Sequence, residues 1–413
     1  MELSAPTNAE VPKEFPPDWR VVPLGTLIKS VEYGSSAKSA GAGRVPVLRM
    51  GNLQSGQIDW NDLVFTSNEA EIKKYGLKQG DVLFNRTNTI DLVGKTSLFD
   101  ASRPAIFAGY LIRVNVQHEL LNTRYLTYVL NSNRARQYGK QVLSVAVGQA
   151  NINGQKLKTY PIPIPPTKAE QDAIAAVLED SEQMIASLER LIAKKRQIKQ
   201  AAMQELLTGK RRLPGFVTPW TMKLIGEFTD CTAGGTPSTS VDGYWGGTIR
   251  WMASGDLHFK RVAEVQGRIT ELGLSNSSTK LIPAKCVLIG LAGQGKTRGT
   301  VAINLVPLCT NQSIAGIFPN AKFVPEYLFH NLDSRYEELR ELSAGDGGRG
   351  GLNLKIIKSI PVPFPCFDEQ LAIATVLDEI DEGLRVTEIK LEKVRLVKHG
   401  IVQTLLAGKI RLV

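Results

Sequence analysis

The chain has 413 residues, 43% of them hydrophobic and 22% charged, which is enough apolar material for two to four domains and too balanced for a disordered chain. Its four cysteines and four histidines are scattered, with no Cys-x-x-Cys pair, which excludes a disulfide scaffold and a Cys/His zinc module. A net charge of +10 points to an acidic partner without naming it, and no apolar run reaches the roughly 18 residues of a membrane helix.

Residues 1–14 are polar, with no apolar signal core, so a flexible N-terminus on a cytoplasmic protein is expected. Residues 15–160 form a first head. Its short β-branched runs, separated by Gly, Asn and Ser, predict mixed α/β structure with irregular loops. Strands are expected at 45–48 and 82–84, and a short helix at 121–131. Pro161, Pro163 and Pro165 then force an extended entry into segment 161–213. Thr167-Lys168-Ala169-Glu170 fits a capping box, and helical periodicity runs on to Gly209, where a helix would stop.

A second head occupies 214–360, with strands expected at 287–289 and 300–303 and a helix at 324–334. Pro361, Pro363 and Pro365 open segment 361–413, Asp368 can cap a helix, and Gly408 can end it. The chain is therefore written twice. Residues 170–213 and 369–412 align without a gap, with 18 of 44 positions identical. Upstream the likeness fades to landmarks. Trp19 and Gly25 match Trp220 and Gly226, and Tyr125-Leu126 matches Tyr327-Leu328.

Each repeated segment predicts a helix of about 39 residues, about 58 Å at 1.5 Å per residue, which is the length of a coiled coil. A heptad seam fits both: Ile174, Leu178, Ile185, Leu188 and Ile192 in the first, and Ile373, Leu377, Ile380, Leu384, Leu391 and Val394 in the second. The first copy has further apolar residues off this seam: Val177, Met184, Leu191 and Ile198. They predict either another protein surface or contact with a head. Each helix is acidic first and basic last. Residues 170–189 hold six acids and no base, and 190–212 hold eight bases and one acid. The second helix has the same polarity. Antiparallel packing sets acid beside base along the whole length, so an antiparallel pair is predicted. Charge cancels within the two helices, which leaves the positive excess mostly to the heads.

Loops in the heads mix bases, amides and glycines. Arg pairs bidentately with guanine, and Asn or Gln with adenine, whereas Lys, Ser and Thr suit phosphates. On that chemistry the candidate DNA contacts are Arg44, Arg49, Asn85, Arg86, Asn88, Gln149 and Asn151 in head one. In head two they are Arg250, Trp251, Gln294, Lys296, Arg298 and Arg349. Plain solvated loops are the alternative for any one of them. Gly290-Leu291-Ala292-Gly293-Gln294-Gly295-Lys296-Thr297 matches the phosphate-binding loop pattern. Residues 298–303 read as turn and strand rather than helix, so a glycine-rich loop facing DNA fits better. No Gly-x-Ser-x-Gly or His-Glu-x-x-His motif occurs, and no metal site is predicted.

The order head, helix, head, helix resembles the specificity subunit of type I restriction–modification enzymes. So do the proline-rich entries, the Glu-Gln-x-x-Ile-Ala starts at Glu170 and Glu369, and the Leu-Leu-x-Gly-Lys ends at 206–210 and 405–409. The resemblance implies an α/β (α+β) fold: two mixed target-recognition domains joined by two long conserved helices that form an antiparallel coiled coil. It implies that each domain reads one half of a split double-stranded DNA site. The helices would act as spacer and as docking surface for two modification (methyltransferase) subunits, with restriction subunits joining them. S-adenosylmethionine, ATP and magnesium would then belong to partner subunits, with no cofactor, metal, active site or membrane contact in this chain. A phosphate-loop nucleotide-binding protein with a coiled-coil scaffold is the alternative.

Overall fold

The computed structural model describes residues 15–146, 148–293, 296–342 and 351–412. The chain divides into two compact units. One comprises Met1–Ser187 with Leu391–Val413, the other Leu188–Lys390.

In the first unit, Arg20–Pro23 pairs antiparallel with Pro161–Ile164, Val21 facing Pro163 and Pro23 facing Pro161. The alternating prolines are tolerated because this ribbon has only two strands, so the side lacking N–H donors needs no ladder partner. A four-stranded antiparallel sheet forms the centre of the head, in the order Ile28–Tyr33, Leu111–Val116, Asp81–Asn85, Thr96–Phe99. Val82, Leu83 and Phe84 are buried, as expected of a continuous apolar run. Val45–Leu48 lies between Ile106–Phe107 and Val64–Thr66 in a second sheet. A third, smaller sheet joins Ser144–Ala146, Gln149–Asn151 and Thr87–Asn88. Helices Thr123–Asn131 and Asn133–Val142 follow each other in the head, with Ser132 between them capping the second through a hydrogen bond from the Ala135 amide; shorter helices lie at Glu69–Tyr75 and Gly154–Lys158.

Head two repeats the central order with its own strands: Cys231–Ala233, Ile314–Ile317, Val287–Gly290, Val301–Asn304 and, added at the edge, Arg261–Val262. The runs at 82–84 and 287–289 thus hold the same place in their sheets. A second sheet runs Arg268–Ile269, Trp245–Met252, Leu308–Thr310, Leu281–Ile282. Its neck ribbon pairs Thr221–Leu224 with Pro361–Phe364. Tyr125 Oη donates to the Pro163 carbonyl at 2.8 Å, and Tyr327 Oη to the Pro363 carbonyl at 2.8 Å, so the matched tyrosines tie each head to its own proline strand.

The two long helices, Lys168–Leu206 and Phe367–Leu405, each have 39 residues. Gly209 and Gly408 adopt φ of 70° and 66° just beyond their ends, the left-handed conformation in which a residue with a Cβ is strained. The predicted capping box forms by half. Thr167 Oγ1 accepts from the Glu170 amide, but the Glu170 carboxylate turns to Arg411 instead of back to the helix start. Asp368 does not cap: the second helix already begins at Phe367, which leaves Asp368 in its first turn.

In each unit the start of one long helix packs beside the end of the other. The core of the first unit joins Trp19, Phe84, Tyr125 and Ile162 of the head to Ile174, Leu178, Leu405 and Leu406. In the second, Ile225, Val287, Tyr327 and Val362 meet Leu206, Leu207, Ile373 and Leu377. Neither head closes its core alone, and each such leucine contributes about 1.5–3 kcal/mol of apolar burial. Ion pairs run antiparallel. Glu182 meets Lys398 at 2.8 Å in one unit, and in the other Asp381 meets Lys199 at 2.6 Å. Lys199 and Lys398 are polar interruptions of the heptad pattern, and their partners come from the acidic half of the opposing helix.

Candidate nucleic-acid interface

The surfaces offered to a ligand are set by how each head is fastened to the helices. The Glu-Gln pair that opens each long helix is the fastener, and both its side chains are buried. In the first unit the Glu170 carboxylate receives Arg411 Nε at 2.5 Å and Nη2 at 2.9 Å, and Arg411 also reaches Asp18 at 2.8 Å. In the second, Glu369 receives Arg212 Nε at 2.8 Å, Nη2 at 2.6 Å and Trp220 Nε1 at 2.9 Å. These are two-pronged, charge-assisted contacts. Glu170 raises the pKa of Arg411 first, Asp18 next. The twin of Trp220, Trp19, is buried as well, but its Nε1 has no partner.

The neighbouring glutamines hold the heads from inside. Gln171 Oε1 accepts from the Asn122 amide at 3.0 Å, and its Nε2 donates to the Leu120 carbonyl at 3.0 Å. Gln370 Oε1 accepts from the Val324 amide at 3.0 Å, and Nε2 donates to the Pro365 carbonyl at 2.9 Å. Asn122 and Val324 hold the N-terminal cap positions of the two equivalent head helices, though only Asn122 caps with its side chain. The repeated motif is therefore a pair of joints. Sequence reasoning found the motif but not its partners, because Arg212 and Arg411 lie far from their glutamates in the chain.

A second contact differs between the units. In the second, Asp378 of the long helix meets both His330 Nε2, at 2.6 Å, and Arg261 of the head. Burial pushes the Asp378 carboxyl up, but His330 and Arg261 outweigh it and hold it below its ordinary range. In the first, Glu179 meets Arg124 at 3.1 Å, and Arg124 also reaches Asp100.

The expected DNA contacts fall into distinct groups. Arg44 is exposed but paired with Glu69, and Arg49 is held by the Asp62 carboxylate at 3.0 Å and its carbonyl at 2.8 Å. Asn85 is fully buried in the central sheet, so its side chain does not reach the surface. Arg86, Asn88, Gln149 and Asn151 come together where the central sheet passes into the small one. Asn151 Nδ2 donates to Thr87 Oγ1 at 2.7 Å, and Gln149 is exposed. In head two, Arg250 pairs with Glu264 at 3.2 Å, and Trp251 packs edge-on to Trp245 and donates to the Gly235 carbonyl. The Arg250 contact, the Val265 amide and Arg268 hold the Glu264 carboxyl down at about 2. Lys296 is exposed and Arg298 half-buried. Gln294 and Arg349 lie outside the described residues.

The seam residues Ile174, Leu178, Leu188, Ile192, Ile373, Leu377, Leu384 and Leu391 are buried, and Ile185, Ile380 and Val394 are half-buried. Off the seam, Val177 packs against the core of head one, while Met184, Leu191 and Ile198 remain exposed.

The phosphate-loop alternative is overturned. Val287–Gly290 and Val301–Asn304 are antiparallel neighbours, and Gly290 and Gly299 are bridged by a backbone hydrogen bond, so the segment between them is a strand connection. No helix succeeds Thr297 to aim an N-terminus at phosphates. Among the described residues no group of His, Cys, Asp and Glu is placed to hold a metal ion, and no helix is long and apolar enough to cross a membrane.

Aromatic residues missing from the sequence expectations adjoin these loops. Tyr33 and Tyr110 of head one are 44% and 52% exposed, and Arg103 stacks on Trp60. Tyr33 ends a strand and Tyr110 stands in the turn before one, and isolated tyrosines at such places carry no sequence signal that separates them from core residues.

Comparison with known proteins gives the family. The type I restriction modification DNA specificity domain matches twice, at residues 16–200 and 218–396. A Methanocaldococcus jannaschii protein provisionally named the type I restriction enzyme MjaX specificity subunit is 25% identical over 96% of this chain and 95% of its own. The EcoR124I/EcoR124II specificity subunit of Escherichia coli is 29% identical over 56% of this chain and 57% of its own. The crystal structure of a type I restriction–modification S subunit from M. genitalium shares the fold, with a TM-score of 0.63 at 15% identity over 96% of this chain and 98% of that one. With two copies of the domain spanning most of its length, the chain belongs to the specificity subunits of type I restriction–modification systems.

Proposed function

We propose that each head of this specificity subunit reads one half of a split double-stranded DNA site, and that the helices dock two modification subunits. The observation that carries this reading is the contrast between necks and heads. Both necks repeat the same buried Glu-Arg and Gln joints, while the sheets and loops they carry have diverged. Equivalent joints present equivalent surfaces to two copies of one partner, and unlike heads suit unlike half-sites. Met184, Leu191 and Ile198, exposed at heptad spacing along the first long helix, support a protein partner there. The positive excess of the chain lies outside the helices and suits phosphate contacts.

On this reading the chain is a cytoplasmic, non-catalytic recognition subunit. Its partners would carry S-adenosylmethionine, ATP and magnesium, and restriction subunits would complete the complex. The test is selection from a random duplex pool by the full chain co-expressed with a modification subunit from the same organism. Two short motifs at constant spacing are expected. A folded complex that enriches no sequence would overturn the proposal.

A further inference from the structure

We infer that Arg86 is a specificity-determining residue of head one and reads a guanine base edge. This deepens the split-site reading above and rests on it.

Arg86 sits where strand Asp81–Asn85 leaves the central sheet and Thr87–Asn88 enters the small one. Its backbone is pinned on both sides: its amide donates to the Tyr110 carbonyl at 3.0 Å, and its carbonyl accepts from the Ile152 amide at 2.9 Å. The side chain is fixed too. Its guanidinium lies over the Tyr33 ring, 4.8 Å from the centroid, and Nη1 donates to the Gly109 carbonyl at 3.3 Å. Nε is buried without a partner. Tyr33 is in turn held by the Gly154 amide, which donates to its Oη at 2.8 Å. A Cβ at Gly154 would come within 2.8 Å of Val31 Cγ2 and 3.1 Å of Tyr33 Oη, so only glycine leaves this support undisturbed.

Four other arginines of this head are occupied by carboxylates, Arg44 by Glu69, Arg49 by Asp62, Arg113 by Glu32 and Asp81, Arg124 by Asp100 and Glu179, while Arg103 stacks on Trp60. Arg86 meets an aromatic face and a carbonyl instead, which fix its plane without neutralising its charge. Nη2 is neither bonded nor among the buried atoms, and Nη1 keeps a second hydrogen beyond the one given to Gly109, so the Nη1–Nη2 edge still carries two donors. A planar donor of fixed orientation and full charge, lying over the partly exposed Tyr33 ring, matches the paired O6 and N7 acceptors of guanine in the major groove.

The experiment is duplex-pool selection with the full complex carrying wild-type chain, Arg86→Lys or Arg86→Gln. Arg86→Lys keeps the charge but cannot form the two-pronged contact, and it serves if the glutamine variant fails to fold. The expected result is that both variants lose the preference for guanine at one position of one motif, by about tenfold to a hundredfold. The other motif should be unchanged. Uniform weakening across all sequences, with a shallower salt dependence for Arg86→Gln, would make Arg86 a phosphate contact and overturn the inference. So would a wild-type motif for head one that contains no guanine. Wild-type complex that selects no split motif at all would instead refute the split-site reading itself.

Discussion

Replacing Gln370 with leucine should loosen head two from the second long helix while leaving both otherwise intact. Gln370 is fully buried, and its amide satisfies two buried backbone groups, the Val324 amide and the Pro365 carbonyl. Leucine has nearly the same volume, so the packing term is small. What remains is two buried polar groups without partners, each costing about 1–3 kcal/mol. Relaxation of the backbone around the joint lowers that total to about 2–4 kcal/mol for the unit. At 1.4 kcal/mol per factor of ten, exchange of the amides in helix Pro325–Asp333 should accelerate roughly 30- to 700-fold if they exchange by opening of this joint. Hydrogen exchange read by mass spectrometry resolves the helix peptide directly. Gln171→Leu should do the same to helix Thr123–Asn131, and because the two glutamines share no partner their effects should add. An acceleration below threefold, or an equal effect of either substitution on both helices, would refute the claim that these amides are local joints.

The same geometry gives four further expected outcomes. Gly408→Ala should destabilise by at least the 1–2 kcal/mol of a left-handed residue, because its Cβ also meets Pro16 at 2.7 Å; Gly209→Ala, against the Trp220 ring at 3.2 Å, should cost less, and equilibrium unfolding orders the two. Asp378→Asn should weaken head two near neutral pH. The depressed Asp378 pKa means that the contribution is complete above the unfolded carboxylate value near 3.8 and fades as pH falls through the folded one, so the gap between variant and wild type must close below about pH 4. Millimolar ATP with magnesium should leave the melting temperature of the chain unchanged, with or without Lys296→Ala; an upward shift abolished by the substitution would restore a nucleotide site. Exchanging the ion pair as Glu182→Lys with Lys398→Glu should recover stability lost in either single variant, measured by a double-mutant cycle.

The periodic parts of the molecule were legible in the sequence. Heptads, prolines and terminal glycines act through neighbouring residues, so their consequences can be read locally. The antiparallel order of the helices was legible for a different reason: the acid-to-base gradient of each helix extends over its whole length, and Lys199 and Lys398 make the pairs that gradient implies. The local pattern failed where a distant partner outbid it. Glu170 has the spacing of a capping box, yet Arg411 takes its carboxylate, and nothing near Glu170 announces an arginine at the other end of the chain. Likewise Asn85 has the amide chemistry of an adenine reader but lies in a central strand buried on both faces, and Arg86 escapes burial because it stands just past the strand's end. The phosphate-loop pattern between Gly290 and Thr297 failed because its chemistry depends on the element after it, which here is strand Val301–Asn304. Tyr33 was silent, since its role comes from a ring placed beside Arg86 by the sheet.

If two diverged heads read separate halves of one site, each half must be exchangeable by itself. The direct test replaces residues 214–360 with the matching head of another specificity subunit and selects motifs from a duplex pool. One motif should be replaced by that of the donor while the other is retained. Loss or alteration of both motifs together would contradict the division of labour between the heads.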